Sequence, residues 1–279
     1  MHTLQAIITG AIQGLSEFLP ISSSAHIVFS NELYELITKT NVLQEVSQEE
    51  IFFNIMVHLA TLFAVVIYFF KDLKKIFKDY LFSIKDKNFK DDNFKLVNYI
   101  MLTTVITGVI GLLIKDKVEQ LISDPQTICF LLLITGLILL FSEKFYKGDK
   151  KLSLKTAIFV AIAQGLAVFP GFSRSGLTIS CAIFNGMNRV EAARFSFLMS
   201  IPVIFLASLI YPLFELDFAS IATFNHKAII LGFLTSFVVG YLCIKYFMKL
   251  LGQLSLRIFG YYCLIAGCVM FGLFQVYYH

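Results

Sequence analysis

The sequence predicts an all-α protein that crosses a membrane several times. Of its 279 residues, 57% are hydrophobic and only 15% are charged, and the mean hydropathy is +0.77. A soluble domain has roughly 25% charged and roughly 45–50% apolar residues, so this much apolar surface cannot be buried in one core of this size. The composition therefore excludes soluble enzymes, nucleic-acid-binding domains and secreted disulfide-bonded modules.

Six stretches are long and apolar enough to cross a bilayer as helices, which takes about 17–25 mainly apolar residues. Two further apolar stretches, 4–30 and 156–187, are interrupted by polar residues, prolines and glycines. Each predicts two half-helices around a polar turn, an arrangement that is tolerated at membrane depth only where the turn lines a cavity. The six uninterrupted stretches are residues 51–70, 97–114, 127–142, 195–213, 228–247 and 258–277.

The distribution of lysines predicts how these segments are oriented. The connection 71–95 contains eight lysines and 143–155 contains five, whereas 26–50 contains one and 115–126 contains two. Cytoplasmic loops of membrane proteins are enriched in Lys and Arg. If both broken stretches enter and leave on the same side, every lysine-rich connection is cytoplasmic and both termini lie outside. We therefore expect six transmembrane helices and two re-entrant helical hairpins.

The two broken stretches also resemble each other. Residues 6–18 and 157–169 are identical at six of thirteen positions, and a proline and then a serine follow each of them at matching places. Three spans follow each hairpin, so the second copy would enter from the opposite face. We expect one membrane domain of two inverted repeats, about 1–150 and 151–279, an architecture in which sites form near the midplane from half-helix ends.

The first polar turn carries an acid at a depth where charge is costly. Glu17 is the one carboxylate inside these apolar stretches, and an ionisable group at membrane depth is a functional hypothesis by default. Gln13 lies four residues earlier, on the same helical face. The serines that follow offer N-cap hydroxyls for the next half-helix. The further polar residues of this turn are Ser22, Ser23, Ser24 and His26.

The second polar turn, residues 170–178, suits an anion. Gly171 and Gly176 let backbone N–H groups approach a ligand closely, and the helix N-terminus that follows favours negative charge. Arg174 adds a planar fork of donors that matches phosphate oxygens. Its neighbours with hydroxyl groups are Ser173, Ser175 and Thr178.

The two turns differ in a complementary way. Glu17 aligns with Val168 and Arg174 aligns with Ser24, so one copy carries the carboxylate and the other the guanidinium. One asymmetric site built from both halves explains this split. Its groups suit a diphosphate bound with a divalent cation, Mg²⁺ or Ca²⁺, that Glu17 would hold. Arg174 would neutralise charge on the transferred phosphoryl group, and His26 or a serine would act as general acid/base or nucleophile.

Two motifs in these turns make the chain resemble the undecaprenyl pyrophosphate phosphatase family, also called the bacitracin-resistance family. They are QGLSEFLPISSSAH at residues 13–26 and PGFSRSGLT at residues 170–178, which match the family signatures (E/Q)xxxE and PGxSRSxxT. The segment around His58 is also similar, so the resemblance covers essentially the whole chain. Many members have Glu where this chain has Gln13, so a second anionic metal ligand is missing here.

The resemblance implies an enzyme that hydrolyses undecaprenyl diphosphate to the monophosphate and phosphate. This reaction recycles the lipid carrier of peptidoglycan synthesis and confers resistance to bacitracin. The implied location is the bacterial cytoplasmic membrane, with the site open to the outer side. The implied partners are the prenyl diphosphate and membrane lipids, with no nucleic acid, and a homodimer is a further expectation. The implied catalytic residues are Glu17, Ser23, His26 and Arg174, and the expected substrate-binding residues are Gln13, Ser22, Ser24, Gly171, Ser173, Ser175, Gly176 and Thr178.

Several alternatives stay open at the level of sequence. A transporter or flippase of prenyl phosphates would share the inverted repeat and the broken helices. The presence of Glu17, His26 and Arg174 favours chemistry, because a carrier needs to bind an anion but needs no general acid. The nucleophile is His26, Ser23 or an activated water. The basic segment 71–95 either lies along the cytoplasmic leaflet or is a solvated loop.

Two expectations concern residues outside the turns. His58 lies within a full span, so its replacement by Ala is expected to matter much less than that of Arg174 or Glu17. The other arginines are expected to reach toward lipid headgroups. They are Arg189, Arg194 and Arg257.

Overall fold

The computed structural model describes residues 2–38, 47–122 and 124–278, and its regular elements in these ranges are all helical. The predicted connection 26–50 is therefore seen only in part, since residues 39–46 lie outside the described residues. A 3₁₀ turn at Phe218–Thr223 accompanies the α-helices. The α-helices are α1 Thr3–Ser16, α2 Ser23–Thr38, α3 Gln48–Tyr68, α4 Phe70–Lys85, α5 Asp92–Ile122, α6 Pro125–Lys144, α7 Leu154–Leu166, α8 Arg174–Phe184, α9 Arg189–Glu215, α10 His226–Leu250 and α11 Arg257–Tyr278.

Six of the described helices are long and apolar enough to cross a membrane, namely α3, α5, α6, α9, α10 and α11. They coincide with the six stretches that the sequence predicts, which confirms an all-α polytopic membrane protein. Several of these helices are longer than the predicted stretches, and α5 exceeds its stretch most. The hydrophobic part of α5 was predicted at 97–114, but the helix runs through Asp92–Ile122, because polar residues at both ends continue it beyond the apolar segment.

The two broken stretches fold as helix pairs, as the sequence predicts. α1 and α2 flank the turn 17–22, and α7 and α8 flank the turn 167–173. α1 has 14 residues, α7 has 13 and α8 has 11. At about 1.5 Å per residue these arms are shorter than the ~30 Å hydrocarbon core. Because the arms of each pair pack against each other, both polar turns lie inside the protein.

The first arm of each hairpin packs against a span of the other half. α1 lies along α10, and α7 lies along α5. A Cβ atom at Gly14 would come within 2.6 Å of the Ser236 carbonyl oxygen and 2.8 Å of the Gly240 nitrogen, and one at Gly165 would come within 2.8 Å of the Ile110 side chain. Small residues let helix backbones approach this closely in membranes. The reciprocal packing supports two inverted halves, and the boundary near residue 150 stays a prediction.

A buried ion pair ties three elements together at the end of α6. Arg189 donates from Nε and Nη2 to the two carboxylate oxygens of Glu143, at 2.8 and 2.6 Å. The Ser255 hydroxyl donates to the same carboxylate at 2.9 Å. Arg194 also binds a carboxylate, with its Nε 3.2 Å from Asp72 Oδ2. The expectation of headgroup contacts therefore does not hold for Arg189, which joins α6, α9 and the connection before α11.

Candidate active site

The two polar turns meet around one carboxylate. Glu17 directly follows α1 and is only 8% exposed. Its Oε1 accepts a hydrogen bond from Arg174 Nη2 at 2.5 Å. Arg174 is the first residue of α8 and stands 157 positions further along the chain. The structure therefore brings together the acid of one hairpin and the guanidinium of the other.

The second oxygen of the Glu17 carboxylate has two further donors. Gln13 donates from Nε2 to Oε2 at 2.9 Å, and the Ser23 hydroxyl donates to the same oxygen at 3.0 Å. Gln13 reaches it because it lies one helical turn earlier in α1, and Ser23 because it begins α2. A buried carboxylate is costly unless it is paired and hydrogen-bonded. These contacts meet that requirement with residues that the sequence assigns to the site.

Local capping shapes the second turn. The Ser173 hydroxyl is the N-cap of α8 and accepts the N–H of Gly176 at 3.0 Å. Gly171 has a φ of 102°, a backbone conformation that favours glycine, and a Cβ atom there would lie 2.5 Å from the Ile128 carbonyl oxygen. The turn can therefore approach α6 only with glycine at this position.

Hydroxyl groups of both turns hold the turns to each other. The Ser175 hydroxyl donates to the Leu19 carbonyl at 3.0 Å, and the Ser24 hydroxyl accepts the N–H of Gly171 at 3.2 Å. Thr178 is fully buried, and its hydroxyl contacts that of Ser196 at 2.7 Å. Part of the predicted phosphate cradle therefore serves to join the hairpins in this structure.

A cavity of about 540 Å³ opens beside these groups. Its polar wall comes mainly from the two turns, and its apolar wall comes mainly from α3 and α9, which also contribute Asn54, His58, Ser200 and Ser208. The predicted site residues that line it are Glu17, Ser23, Ser24, Ser173, Arg174 and Ser175, and the apolar wall includes Ile51, Ile55, Val203, Ile204 and Ala207. The predicted site residues that lie outside its lining are Gln13, Ser22, His26, Gly171, Gly176 and Thr178.

His26 is not part of the cavity lining. Its Nδ1 lies 2.8 Å from the Ser22 carbonyl oxygen and its Nε2 lies 2.7 Å from the Tyr262 hydroxyl. The imidazole also stacks on the Tyr262 ring, with the centroids 5.6 Å apart. Ser22 has a φ of 71°, which is uncommon outside glycine, so this contact braces the turn. The catalytic role predicted for His26 stays a prediction, and the geometry favours a positioning role.

His58 is a residue of the site that sequence reasoning missed. Its Nε2 lies 4.0 Å from Glu17 Oε2, and its side chain lines the cavity. Its Nδ1 lies 2.8 Å from the Asn54 carbonyl oxygen. Because a carbonyl oxygen only accepts, Nδ1 donates this hydrogen bond, and Nε2 is the ring nitrogen that faces Glu17. His58 reaches the site from a full span because α3 packs beside α1, so its position gives no reason to expect a small effect of His58→Ala.

Gln164 is a second cavity residue that the sequence indicated only through the repeat. It aligns with Gln13, lines the cavity and donates from Nε2 to the Thr107 hydroxyl at 3.1 Å. The repeat places one glutamine in the first arm of each hairpin. The alignment of Gln164 with Gln13 is therefore the feature of the sequence that indicates Gln164 as a site residue.

Three buried atoms of this region have no hydrogen-bond partner among the described residues. They are Arg174 Nη1, Gln13 Oε1 and Gln164 Oε1. A buried polar atom without a partner costs free energy, so such atoms mark places where a ligand would complete the site. Arg174 Nη1 is a donor suited to a phosphate oxygen. The two amide oxygens are acceptors suited to a donor or a cation.

The fold and the site define a class of protein, a polytopic membrane protein whose two broken hairpins join an acid and an arginine beside a cavity. The sequence model of the family described as bacitracin resistance protein BacA matches residues 6–269. The chain is 37% identical over 283 residues to the undecaprenyl-diphosphatase of Methanobrevibacter smithii, with 97% of each chain covered. It is 40% identical over 271 residues to the undecaprenyl-diphosphatase of Carboxydothermus hydrogenoformans, with 96% of this chain and 95% of the relative covered. This chain belongs to the BacA family.

Proposed function

We propose that this protein hydrolyses undecaprenyl diphosphate to the monophosphate and phosphate, in the service of lipid-carrier recycling and bacitracin resistance. One observation carries the proposal. Arg174 binds Glu17 through Nη2 at the cavity wall, while its Nη1 is buried without a partner among the described residues. A guanidinium that is held by a carboxylate and keeps a donor for a ligand suits a phosphoryl group.

The two walls of the cavity suit an amphiphilic substrate. The diphosphate would lie against the polar turns, near Arg174 and the serine hydroxyls. The first isoprene units would lie along the apolar side chains of α3 and α9, such as Ile55 and Ile204. A water-soluble diphosphate would gain nothing from that second wall, so the cavity favours a lipid substrate.

The contacts of Glu17 support roles for the catalytic step. The Ser23 hydroxyl donates to Glu17 at 3.0 Å, so Glu17 is placed to accept a proton from Ser23 or from a water that takes its position. The nucleophile attacks the terminal phosphorus, the bond to the bridging oxygen breaks, and the lipid monophosphate leaves with the electron pair. Attack by water gives phosphate directly, whereas attack by Ser23 gives a phosphoserine that a water must then hydrolyse to release phosphate. Arg174 stabilises the negative charge on the phosphoryl oxygens during this step.

A divalent cation, Mg²⁺ or Ca²⁺, is part of the proposal. Glu17 would hold it together with diphosphate oxygens, and Gln13 Oε1 is a neighbouring acceptor without a partner in the described chain. Both cations prefer oxygen ligands, and the bound ion would offset phosphate charge. The described ranges contain no group of three His, Cys, Asp or Glu side chains that could hold a metal ion. Cation binding should therefore depend on the substrate.

The proposed location is a bacterial cytoplasmic membrane, with both termini and the mouth of the cavity on the outer side. In the orientation that the lysines predict, α3 begins outside and α9 ends outside. The cavity is lined by the first part of α3, from Ile51 to His58, and by the second part of α9, from Ser200 to Ser208. Both segments lie in the outer half under that orientation. The homodimer rests on the sequence expectation alone.

The test is phosphate release from a prenyl diphosphate by the purified protein in detergent. Arg174→Ala and Glu17→Ala should each lose about 10²-fold or more in kcat, the usual cost of one transition-state charge contact. Arg174→Lys should recover only part of the loss, because Lys lacks the planar fork. The matched control is Arg257→Ala, an exposed arginine at the start of α11, which should keep full activity.

Two outcomes would contradict the proposal. Normal turnover by folded Arg174→Ala would show that the guanidinium of Arg174 has no role in the reaction. No release of phosphate by folded wild-type protein, with Mg²⁺ or Ca²⁺ present, would favour the alternative function, transport of prenyl phosphates. Flipping of a labelled prenyl phosphate in liposomes would then be the next assay.

A further inference from the structure

α4 is a helix with three distinct faces, and one of them fixes it to the spans. Ile76 and Ser83 are buried, and the helix packs against α3 and α5. Asp72 binds Arg194 of α9 at 3.2 Å, and Asp79 accepts from Asn93 Nδ2 at 2.7 Å. These contacts set the rotation of α4 about its own axis. The remaining two faces therefore point outward in a defined direction.

The second face of α4 is apolar and exposed. Phe70, Phe77, Leu81 and Ile84 are 61, 65, 50 and 47% exposed. Their spacing of seven, four and three residues puts them on one side of the helix. A contiguous stripe of four large apolar side chains is unfavourable in water and is typical of a surface that touches a membrane or a partner. A solvated loop would not need it.

The third face of α4 carries lysines and adjoins the apolar stripe. All its lysines are exposed, and the spacing groups them on one side of the helix. Both acids of α4, Asp72 and Asp79, point elsewhere, toward Arg194 and Asn93. The lysine face therefore carries positive charge with no carboxylate of α4 to offset it. Its residues are Lys71, Lys74, Lys75, Lys78 and Lys85.

The position of α4 along the chain puts it at the level of the bilayer surface. α3 ends at Tyr68 and α4 begins at Phe70, so the helix starts where a span ends. Lysine stems can lie along the apolar boundary while their ammonium groups reach outward. A helix with an apolar face and a lysine-rich face is built to lie in the interface plane. An acidic protein partner would account for the lysine face but not for the apolar stripe beside it. A lipid surface accounts for both faces.

We propose that α4 lies in the membrane surface and that its lysine face binds the phosphates of anionic lipid headgroups. The apolar stripe enters the boundary between headgroups and acyl chains, and the lysines bind the headgroup phosphates beside it. The lysine-rich side of the protein is the cytoplasmic side in the orientation expected from the sequence, and that leaflet carries the anionic lipids. The proposal does not depend on the catalytic activity.

The first experiment measures lipid binding directly. The purified protein in detergent is titrated with phosphatidylglycerol or phosphatidylcholine of the same acyl chains, and bound lipids are counted by native mass spectrometry. Wild type should prefer phosphatidylglycerol at least fivefold. The variant Lys71→Gln/Lys74→Gln/Lys78→Gln should lose that preference, while a control with the same charge change in another exposed connection, Lys147→Gln/Lys150→Gln/Lys151→Gln, should keep it. No preference in wild type, or equal losses in both variants, would overturn the lysine face as the site.

The second experiment measures depth and does not rely on lysine variants. The chain contains no tryptophan, so Phe77→Trp introduces a single emitter into the apolar stripe. In nanodiscs with bromine on the acyl chains, emission from Phe77→Trp should be quenched at least twofold. Lys147→Trp, in an exposed connection, should be unaffected. Emission from Phe77→Trp that is as unquenched as that of the control would place α4 in water and overturn the proposal.

Discussion

At the scale of single residues, His58 makes the clearest prediction. Its Nε2 faces Glu17 at 4.0 Å, and its Nδ1 donates a hydrogen bond to the Asn54 carbonyl. An imidazole at the wall of the cavity can take part in general acid–base catalysis, which contributes about 10²–10⁴-fold. We expect His58→Ala to lower kcat about 10²-fold in the phosphate-release assay.

The matched control for this prediction is His226→Ala, since His226 is exposed at the start of α10 and lies outside the cavity lining. Its activity should equal that of wild type. If His58→Ala is equally active, the ring serves only to fill space beside Glu17.

Gln13 makes a prediction about metal dependence. Its amide donates to Glu17 at 2.9 Å, so Gln13→Glu would put two carboxylates within hydrogen-bonding distance. Like charges this close repel each other without a cation, and two carboxylates bind Mg²⁺ or Ca²⁺ better than one. We expect the Tm of Gln13→Glu to fall below that of wild type in chelator and to rise by more than that of wild type when the cation is added.

The repeat supplies the control for this experiment. Gln164→Glu adds the same charge in the equivalent arm of the second hairpin, where Val168 stands in place of a second acid. Its Tm should fall without recovery by the cation. A cation response of Gln13→Glu no larger than that of wild type would show that the pair does not form a cation site.

The residues of the site were predictable where the signal was local. An acid in an apolar stretch and an arginine between glycines stand out in the sequence, and the structure joins Glu17 to Arg174. His58 was missed because its relevance depends on which span lies beside α1. The direction of the His26 ring depends on Tyr262, which stands 236 positions away. Contacts of this kind have no signature in one sequence.

At the scale of helices, the seat of α1 on α10 decides where Glu17 lies. A Cβ atom at Gly14 would meet backbone atoms of Ser236 and Gly240 at 2.6 and 2.8 Å. Backbone atoms of a helix cannot move aside singly, so Gly14→Ala must shift α1 and with it Gln13 and Glu17. Overpacking of this kind costs about 1–3 kcal/mol. We expect a lower Tm in detergent and a lower kcat.

Gly108→Ala is the matched control for Gly14→Ala, because it also adds one methyl group to a helix. A Cβ atom at Gly108, in α5, would meet no heavy atom within 4 Å. Since Ala favours a helix over Gly by about 1 kcal/mol, this variant should be neutral or slightly more stable. Equal changes of Tm in the two variants would mean that the close packing of α1 on α10 does not depend on Gly14.

The helices themselves were predictable to different degrees. Hydrophobic length was enough for the six spans, because bilayer thickness sets the length of a spanning helix. For α4 the sequence allows both a surface helix and a solvated loop, since its lysines and phenylalanines give no continuous apolar run. The pairing of α1 with α10 and of α7 with α5 had no signal beyond small residues, which are common throughout the chain.

At the scale of the whole molecule, orientation decides which side of the membrane the cavity serves. Six spans would put residues 2 and 278 on one side, and the lysine-rich connections 71–95 and 143–155 predict that this is the outer side. Reporter cysteines test this in intact cells with a maleimide that does not cross membranes. The reporters are Ala219→Cys, in the exposed turn between α9 and α10, and Lys87→Cys, in the connection after α4. Both are introduced with Cys268→Ser, because Cys268 is exposed in the native chain.

We expect Ala219→Cys to react before the cells are permeabilised and Lys87→Cys to react only afterwards. The parent Cys268→Ser protein should stay unlabelled before permeabilisation, since its remaining cysteines are buried or partly buried. The result bears on the chemistry as well as the topology. The cavity is lined by the first part of α3 and the second part of α9, so the reverse labelling would turn its mouth to the cytoplasm. The lipid diphosphate would then have to come from the inner leaflet, and the proposed outer site would be wrong while the contacts of Glu17 and Arg174 stood unchanged.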